Sequence, residues 1–472
     1  MWLATRSGAR GLAGARGLAT AATTQLTTLP NRVRVATEPI PGHFSAIGVY
    51  IDAGSRFERL WVPGESGVSH LVDRMAFKST QNSSTDKMEH EIQELGGSVL
   101  CSSSRETIMY QASVFNKDVP RVLALIADTI QHPVLDPAEL AMQKAAAAWE
   151  VAELWTKPDM IVPELVHAAA FRDNTLGNPL LCPPETLAVL STDNLRTYMD
   201  AWFRPERLVV AGVGMPHEEL VALASEHFGG MRGADLGAEA VMFEQIARAR
   251  AQYTGGELYI PKPDLEFTHV HVGFEGLSIH DEDIYALATL QILLGGGGSF
   301  SAGGPGKGMY SRLYTNVLNH HYAVDYCAAF HHCYADSGLF GIAMSTHPAF
   351  VDRVPYIVAR ELELCTSGAY RGSVTRTELA RAKNQLKSSL MMALESRLVE
   401  VEDLGRQVQV HNHRVPAAEM CARIDAVDLP TLHRVASRVL HAPKPATVVA
   451  QGAVDGVPDV RNILASRGLG SH

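Results

Sequence analysis

The chain contains an internal repeat, which constrains its fold more than any other feature. The hexapeptide Asp-Pro-Ala-Glu-Leu-Ala at residues 136–141 has the pattern of a helix start, with an Asp cap, Pro at the first helical position and Glu three residues after the cap. The related hexapeptide Thr-Arg-Thr-Glu-Leu-Ala occurs 239 positions later, at 375–380. At the same offset, the strand-like run Val-Val-Ala at 209–211 aligns with Val-Val-Ala at 448–450. Self-similarity of this kind predicts two copies of one structural plan.

Nearer the amino terminus the two copies match at a shorter offset. Residues 49–53 correspond best to residues 272–276, an offset of 223. The second copy has therefore gained roughly sixteen residues between 276 and 375. The tract 295–308, with eight glycines in fourteen residues, is the candidate for this insertion. By this alignment the tract stands where the first copy has the helix that contains His70.

The repeat divides the chain into two domains of similar design. They cover residues 25–233 and 257–472, and residues 234–256, rich in Gly, Ala and Arg, are interpreted as the linker between them. Each copy begins with strand-like alternation, continues through helices and a second block of strands, and ends with a long helix and a closing strand. This order predicts an α+β protein with two tandem homologous domains, each a sheet with helices packed on it.

The composition is that of a soluble globular protein. Of the 472 residues, 46% are hydrophobic and 19% are charged, and no apolar run approaches the roughly 20 residues that a membrane-spanning helix needs. The net charge of −10 disfavours a nucleic-acid partner and suits a cationic one. The six cysteines are scattered without a Cys-x-x-Cys pair, which argues against a disulfide framework or a structural zinc site and favours a reducing compartment.

The first residues have the composition of an import signal. The first carboxylate of the chain is Glu38, whereas Arg6, Arg10 and Arg16 alternate with Leu, Ala and Gly before it. An Arg-rich, acid-poor segment of this kind is typical of a mitochondrial transit peptide. We therefore expect residues 1–24 to be a transit peptide and the mature protein to lie in the mitochondrial matrix. A disordered tail is the alternative interpretation.

One amphipathic helix carries a motif that resembles a metal site. Opposite its apolar stripe, the helix presents His70, Asp73 and Arg74 in the order His-x-x-Asp-Arg. This order resembles the His-x-x-Glu-His motif of inverted zinc peptidases, in which two histidines bind zinc, the glutamate activates water and a distant glutamate is the third ligand. Glu150, 76 positions after Arg74, stands where that third ligand is expected.

Two replacements argue against zinc at this motif. Arg74 stands at the position of the second histidine, and a cation at coordination distance repels Zn²⁺. Asp73 replaces the general base with a side chain that is one methylene shorter. We interpret His70, Asp73, Arg74 and Glu150 as a degenerate metal motif that holds no metal and supplies no catalytic residue. The alternative is a helix whose polar face is solvated, or joined by a salt bridge between Asp73 and Arg74.

The glycine tract is a candidate substrate-binding loop. A phosphate-binding loop is disfavoured, because Ser301 stands where a Walker A loop has its first glycine and Gly308 stands where Ser or Thr binds magnesium. A flexible linker is the ordinary meaning of such glycine density, yet this tract interrupts a repeat unit instead of separating domains. Bare glycine backbone can approach an extended peptide closely. The predicted peptide-contacting residues are Gly295, Gly296, Gly297, Gly298, Ser299, Phe300, Gly303, Gly304, Gly306, Lys307 and Gly308.

Together with segments further along the chain, the tract resembles a known family. With residues 309–314, 391–397 and 402–407, it closely resembles the alpha subunits of mitochondrial processing peptidases, which are noncatalytic members of the pitrilysin-like zinc peptidase family. The resemblance covers nearly the whole mature chain. It implies a subunit whose glycine-rich loop handles the cationic presequences of imported precursors. It also implies an obligate beta subunit that holds the zinc and cleaves them, so that this chain itself carries no cofactor.

Two other functions are weighed beside this one. Core protein 2 of the cytochrome bc1 complex is a structural subunit of similar fold at the inner membrane, and in some lineages one polypeptide serves both complexes. It lacks so long a glycine loop, which favours the processing peptidase. An active peptidase in its own right would require Arg74 to be bypassed.

Four acidic residues are further candidates for presequence recognition. A presequence is cationic and amphipathic, so its binding site should offer carboxylates and some apolar surface. Glu395, Glu400, Glu402 and Asp403 fall within nine positions directly after a long predicted helix. We expect these carboxylates to attract presequence arginines. A solvated acidic face is the alternative.

Overall fold

The computed structural model describes residues 23–299 and 309–470, and all structural statements below concern these residues. The strands are β1 (Gln25–Thr28), β2 (Arg34–Glu38), β3 (Phe44–Ile51), β4 (Ser98–Ser103), β5 (Ile108–Phe115), β6 (Leu208–Val213), β7 (Glu257–Pro261), β8 (Thr268–Glu275), β9 (Gly296–Gly298), β10 (Val324–Cys333), β11 (Gly338–Thr346) and β12 (Thr447–Gly452). The helices of the first half are α1 (Val68–Arg74), α2 (Thr85–Leu95), α3 (Val119–Gln131), α4 (Pro137–Leu154), α5 (Pro158–Ala170), α6 (Pro184–Val189), α7 (Thr192–Trp202) and α8 (His217–Phe228). The remaining helices are α9 (Ala240–Arg248), α10 (Ile284–Leu294), α11 (Val354–Thr366), α12 (Arg376–Leu394), α13 (Arg397–His411), α14 (Ala417–Ala426), α15 (Leu429–Leu440) and α16 (Val460–Ala465).

Each half has its own six-stranded sheet. The first has the order β1-β2-β6-β3-β5-β4 and the second the order β7-β12-β8-β11-β10-β9. In both, one pair is parallel (β2 with β6, β7 with β12) and the other pairs are antiparallel. Five strands therefore correspond one to one, while β1 and β9 are edge strands without a counterpart. The predicted α+β architecture of two tandem homologous domains is confirmed.

Helices cover both faces of each sheet, and each half contributes one helix to the sheet of the other half. The outer faces pack on helices of their own half and form the two main cores. The inner face of the second sheet is covered by α5 of the first half. The inner face of the first sheet is covered by α13 of the second half. Because apolar side chains of each half are buried by the other, the two halves stabilise one another.

The exchanged helices are also held by polar contacts across the interface. Arg34 donates to the carbonyl oxygen of Val408 at 3.0 Å and to Oδ1 of Asn412 at 2.8 Å, at the carboxyl end of α13. His167 of α5 hydrogen-bonds the hydroxyl of Tyr334 in the second half at 2.7 Å. Each sheet thus meets the helix of the other half through an apolar centre with hydrogen bonds at its margin.

The segment predicted as a linker, 234–256, has structure of its own. It contains α9, whose Phe243 is buried against Trp202 of the first core with ring centroids 5.6 Å apart. Further along, Tyr253 is buried beneath α5, and its hydroxyl lies 2.8 Å from Oγ1 of Thr447. The connection between the halves is therefore packed on both of them. Within the ranges described, no helix is both long enough and apolar enough to cross a bilayer.

Two details of the sequence alignment are wrong. Val209 pairs with Tyr50, whereas the residue that pairs with Gly273, at the matching place in the second sheet, is Thr447. Val209 and Thr447 therefore correspond, at an offset of 238 and not 239. A slip of one residue turns every side chain of a strand to the other face, and Val448 does lie on the outer face while Val209 lies on the inner one.

The place of the glycine tract also differs from the expectation. Helix α1 packs on α4, α7 and β4, and α10 packs on the corresponding α12, α15 and β10. The counterpart of the helix with His70 is therefore α10, and the tract follows α10 instead of replacing α1. Residues 300–308 of the tract lie outside the described residues, as does nearly all of the predicted transit peptide 1–24; the first strand begins at Gln25.

Candidate functional site

Helix α1 places the degenerate metal motif between the first sheet and helix α4. The helix begins after Gly67, whose φ of 76° is the left-handed conformation that favours glycine, and it ends at Arg74. Val68, Leu71 and Val72 anchor its apolar side in the first core. The polar side faces α4, so that His70 and Arg74 meet Glu150.

The carboxylate of Glu150 is paired with a cation from the motif itself. Its Oε2 accepts a hydrogen bond from Nη2 of Arg74 and lies 3.6 Å from Nε2 of His70. The long helix α4 therefore does bring Glu150 to the position expected of a third ligand. The guanidinium of Arg74, however, supplies the positive charge there. The alternative salt bridge between Asp73 and Arg74 is not present in the described residues.

The ring of His70 has the wrong tautomer for a zinc ligand in this place. The backbone N–H of Cys182 donates to its Nδ1 at 3.2 Å, so a neutral ring carries its proton on Nε2. Nε2 thus presents a hydrogen, and not a lone pair, toward Glu150. In metal sites the ring nitrogen that faces away from the metal ordinarily donates. Burial and the nearby Arg74 lower the pKa of His70 to about 4, which keeps the ring neutral at pH 7.

The carboxylate of Asp73 accepts hydrogen bonds from Ser103. Its Oδ2 accepts from the N–H of Ser103 at 2.8 Å and from the hydroxyl of Ser103 at 3.1 Å, so it ties α1 to strand β4. Burial raises its pKa, while the hydrogen bonds from Ser103 lower it in part. A general base must reach the water that it activates, and this carboxylate is committed to the end of a strand.

The donor set of the motif does not fit zinc. One imidazole turns a protonated nitrogen to the site, one carboxylate is neutralised by a guanidinium, and the position of the second histidine is that same guanidinium. No group of three His, Cys, Asp or Glu side chains in the described part of the chain could hold a metal ion. That this chain carries no zinc is a prediction for which metal analysis is the test.

A cavity of about 920 Å³ lies between the two halves. Its charged groups are mostly paired. Arg56 of the first half forms salt bridges to Glu106 and, across the interface, to Asp336 of the second half, and Arg105 pairs with Glu164 of α5. Of these pairs, the one between Arg56 and Asp336 ties the halves together at the cavity wall.

The four acidic residues predicted to attract arginines do not form one surface. Glu395 is exposed at the end of α12, and Glu402 pairs with Arg406 on α13. Asp403 lines the cavity between the halves, but it is paired with Arg414 and accepts from Gln407. Glu400 is buried against the first sheet. Helical geometry explains the scatter, since residues so close in sequence occupy different faces of the helix.

Glu400 takes part in a buried cluster across the interface. It lies beside Glu38 of the first half, and Nε of Arg414 lies 3.1 Å from Oε1 of Glu38. Burial and the neighbouring Glu38 raise the pKa of Glu400 to about 8, against the effect of Arg414 and Arg397. A protonated Glu400 can donate to Glu38, so this residue works as a structural hydrogen-bonding group.

The first part of the glycine tract forms the edge of the second sheet. Gly296, Gly297 and Gly298 make strand β9, which pairs antiparallel with β10. Gly296 has a φ of 101°, and a Cβ there would lie 2.0 Å from the carbonyl oxygen of Cys327. Only glycine fits such an approach. Of the predicted loop residues, Gly295 to Ser299 are described, and Phe300, Gly303, Gly304, Gly306, Lys307 and Gly308 lie outside the described residues.

Sequence reasoning missed a group of residues on the inner face of the second sheet. His269 and His271 alternate on β8 and face α5, where His332 of β10 and Asp325 line the same cavity. The signal was present, because polar residues at i and i+2 on an otherwise apolar strand indicate a polar spot on one face of a sheet.

Comparison with known proteins identifies the family. Residues 34–184 match the model of the insulinase family, peptidase family M16, and residues 190–386 match that of the peptidase M16 inactive domain. The chain is 48% identical to the mitochondrial-processing peptidase subunit alpha of Neurospora crassa, over 88% of this chain and 82% of that protein. It is 40% identical to the mitochondrial-processing peptidase subunit alpha of Homo sapiens, over 93% of this chain and 84% of that protein.

A solved structure shares the fold. A chain in the structure of Complex III2 from Candida albicans matches with a TM-score of 0.79 at 19% identity, over 94% of this chain and 99% of that chain. Identity this low establishes the fold alone. The sequence relatives carry the assignment further: the chain belongs to peptidase family M16 and, within it, to the alpha subunits of mitochondrial-processing peptidases.

Proposed function

We propose that this chain is the noncatalytic, substrate-recognising subunit of a heterodimeric mitochondrial processing peptidase. It binds the cationic presequences of imported precursors in the matrix. A beta subunit that holds zinc cleaves them.

The pairing of Arg74 with Glu150 supports this proposal most strongly. In an M16 peptidase the corresponding positions would supply two of the zinc ligands, and here they neutralise one another. With Nε2 of His70 protonated and Asp73 bound to Ser103, no side chain of the motif is free to activate water. A chain of this family that has lost its own zinc site while retaining the fold contributes to cleavage through binding.

The glycine tract and the charge of the chain support a role with cationic peptides. The net charge of −10 attracts a basic peptide over long range, and this attraction fades as salt rises. The described start of the tract, β9, is an edge strand of bare glycine backbone. Edge strands of this kind can pair with an extended peptide.

A structural role in the respiratory chain is the second candidate. The observation in its favour is the shared fold with a chain of the Complex III2 structure. The relatives at 40 to 48% identity are named as processing peptidase subunits, which favours peptide processing. Fractionation of inner membranes separates the two, because a subunit of a respiratory complex stays with the membrane and a matrix subunit does not.

Reconstitution tests the proposal. The mature chain, its beta partner and their mixture are assayed with a synthetic presequence peptide and for bound zinc. We expect cleavage only by the mixture and about one zinc per heterodimer, none of it on this chain alone. Stoichiometric zinc on the isolated chain, or cleavage by it, would contradict the proposal. Amino-terminal sequencing of the organellar protein should place its first residue between about 19 and 25.

Deletion within the glycine tract tests the role of the loop. Removal of residues 299–306 should leave folding and heterodimer formation intact, because the described start of the tract, β9, is the edge strand of the second sheet and contributes no residue to either main core. Cleavage should fall at least about a hundredfold, since misplaced substrate costs that much even at a displacement of about 1 Å. Size-exclusion chromatography checks assembly. Cleavage at the full rate by the shortened heterodimer would identify the tract as a spacer.

A further inference from the structure

A separate cavity of about 650 Å³ lies between α5 and the inner face of the second sheet. None of its lining residues belongs to the degenerate motif of α1 and α4. Strands β8, β10 and β11 form its floor, and the first turns of α5 form one wall. The residues that decide its chemistry are Asp159, His269, His271, Asp325, Phe330 and His332.

The floor of the cavity is aromatic and uncharged. His271 is only 8% exposed, and its ring stacks on Phe330 with centroids 6.1 Å apart and planes 29° apart. Burial lowers the pKa of His271 to about 3, and burial also lowers the pKa values of His269 and His332. At neutral pH the three imidazoles are therefore uncharged, which argues against an anion as ligand.

The rim of the cavity carries two carboxylates without a cation. Asp325 receives only the hydroxyls of Ser299 at 3.4 Å and Ser345 at 3.5 Å, and Asp159 makes no salt bridge in the described ranges. No Lys or Arg lines this cavity among the residues described. The neighbouring cavity between the halves is different, because its acids Glu106 and Asp336 share Arg56. The cavity thus combines negative charge at its rim with flat neutral rings inside.

This combination suits a guanidinium group. A guanidinium is planar, donates in pairs to carboxylates and stacks on aromatic faces. A lysine ammonium would meet the carboxylates as well but would gain less from the rings. A bare metal ion would need a cluster of ligands, and no such group of three exists in the part of the chain that the structure covers.

The cavity opens beside the glycine edge strand. Tyr326, which lines the cavity, is paired with Gly298, and the backbone N–H of Ser299 donates to the carbonyl oxygen of Asp325 at 2.6 Å. Because β9 consists of three glycines, it has no side chain to cover the space between its outer edge and Asp325. A long side chain from a peptide that pairs with that edge can cross β9 and reach the carboxylates.

We propose that this cavity is a subsite for one arginine side chain of a peptide bound in extended form along β9, with Asp159 and Asp325 as its carboxylate partners and Phe330 and His271 as its stacking floor. The inference rests on the proposed function, since it assigns a place to one arginine of the presequence. It differs from the expectation for the four acidic residues between 395 and 403, because none of them lines this cavity.

A coupling experiment between protein and peptide tests the subsite. The heterodimer is kept from cleaving by a zinc chelator, and the binding of a fluorescent presequence peptide is measured by anisotropy at about 0.05 M salt. A series of peptides replaces one arginine at a time by citrulline, which has nearly the same shape but no charge. For one position we expect binding to the unmodified heterodimer to weaken about tenfold, as is ordinary for a charge-assisted pair.

The variants Asp325→Asn and Asp159→Asn, alone and together, should abolish that preference. With both changes the arginine and citrulline peptides should bind within about twofold of one another. Asp352→Asn is the matched control, because Asp352 is 63% exposed in the same half and outside the cavity. It should retain the tenfold preference. Both cavity substitutions keep the size of the side chain, and thermal unfolding checks that the variants are folded.

The outcomes separate the subsite from the proposed function. If peptides bind but no citrulline position responds to Asp325→Asn and Asp159→Asn, the subsite is wrong and the proposed function stands. If the unmodified heterodimer binds no presequence peptide, both are wrong. If Asp352→Asn removes the preference as well, the effect comes from net charge and the subsite is again wrong.

Discussion

The two exchanged helices, α5 and α13, each pack on the inner face of a sheet, but the large and small residues at the contact are distributed in opposite ways. On the first sheet, Gly405 of α13 lies directly over Tyr50 of β3, and a Cβ at Gly405 would come within 2.1 Å of the tyrosine ring. On the second sheet the corresponding positions are Val166 of α5 and Gly273 of β8, where a Cβ on Gly273 would lie 3.7 Å from Cγ1 of Val166 and 3.4 Å from the ring of Phe330 on the neighbouring β10. In the first half the sheet supplies the large residue, Tyr50, and the helix supplies glycine. In the second half the sheet supplies glycine and the helix supplies the larger residue, Val166.

This reversal shows what the repeat has preserved. In both halves a helix of the other half covers the inner face of the sheet, while the small and large residues at the contact have changed places. Interiors are packed to near-crystalline density, so a change in one partner requires a compensating change in the other. A single residue is therefore a poor guide to which positions of the two halves correspond. The two halves are better compared by the pair of positions, one on the helix and one on the sheet, that are in contact.

The largest expected effect on stability comes from placing the valine of α5 at the corresponding glycine of α13. Gly405→Val should destabilise the protein by at least about 3 kcal/mol, because Tyr50 is fully buried, accepts from Gln111 at 2.8 Å and cannot move aside. Urea unfolding measures the change. The combination with Tyr50→Gly recreates the contact of the other half and should recover part of the loss.

The control for that substitution is Gly230→Val. A Cβ at Gly230 would meet no atom within 4 Å, so this change should cost little. If Gly405→Val unfolds at the same urea concentration as the parent protein, the close contact with Tyr50 does not limit the packing of α13.

The reciprocal contact should respond less strongly. Val166→Ala leaves a small gap over Gly273 and should cost about 2 kcal/mol, the usual effect of removing two buried methyl groups. Met160→Ala on the same helix is the matched control, since that side chain is 54% exposed. A loss as large for Met160→Ala as for Val166→Ala would show that the contact of Val166 with the sheet is not the source of the loss.

The helices also differ where α13 has Glu400 and α5 has the buried Ile161 at the corresponding place. With a folded pKa of about 8, raised by burial and by Glu38, Glu400 holds a proton in the folded state that it loses in the unfolded state above about pH 4.5. Stability should therefore fall as pH rises from about 5 to about 8.

Glu400→Gln removes this titration. The variant should lose much of the pH dependence between pH 5 and 8 and be more stable than the parent protein by about 1 kcal/mol at pH 8.5. Unfolding midpoints at several pH values test this. Parallel curves for the two proteins would show that Glu400 keeps an ordinary pKa.

The smallest effect on stability is expected at the degenerate motif. The first half has a polar face on α1, whereas its counterpart α10 is apolar and buried. Arg74→His should change stability by less than about 1 kcal/mol, because Arg74 and Glu150 are 37% and 34% exposed. We also expect no zinc to survive dialysis, since His70 still accepts from Cys182 at Nδ1. One retained zinc per chain would contradict the tautomer argument.

Much of the fold could be predicted from residues that act locally. The cap at Asp136 accepts from the N–H groups of Ala138 and Glu139, and Thr375 and Glu378 form the capping box expected of the second copy. Such signals depend only on neighbours along the chain. The register of β12 was missed by one residue because Val448 and Val449 are alike in hydrophobicity, and only pairing with β8 decides which faces inward.

The candidate site was predicted in part. The sequence was sufficient to name His70, Asp73, Arg74 and Glu150 together, because the order and spacing of a helical motif are encoded locally. It could not show that Arg74 pairs with Glu150 and not with Asp73, since that choice depends on how α4 packs beside α1. It also grouped Glu400 with Glu402 and Asp403, although burial by the first sheet separates them.

The sequence by itself determined the two-fold plan of the protein, the class of each copy and the presence of Arg74, four residues after His70 on one helix, because these follow from local patterns along one chain. Only the tertiary structure decided which half buries which helix, where Glu400 meets Glu38, and that Asp325 and His271 share a cavity beside the glycine strand. Those contacts join residues that are far apart in the chain, and their energies depend on distance and burial, which a linear order of residues does not contain.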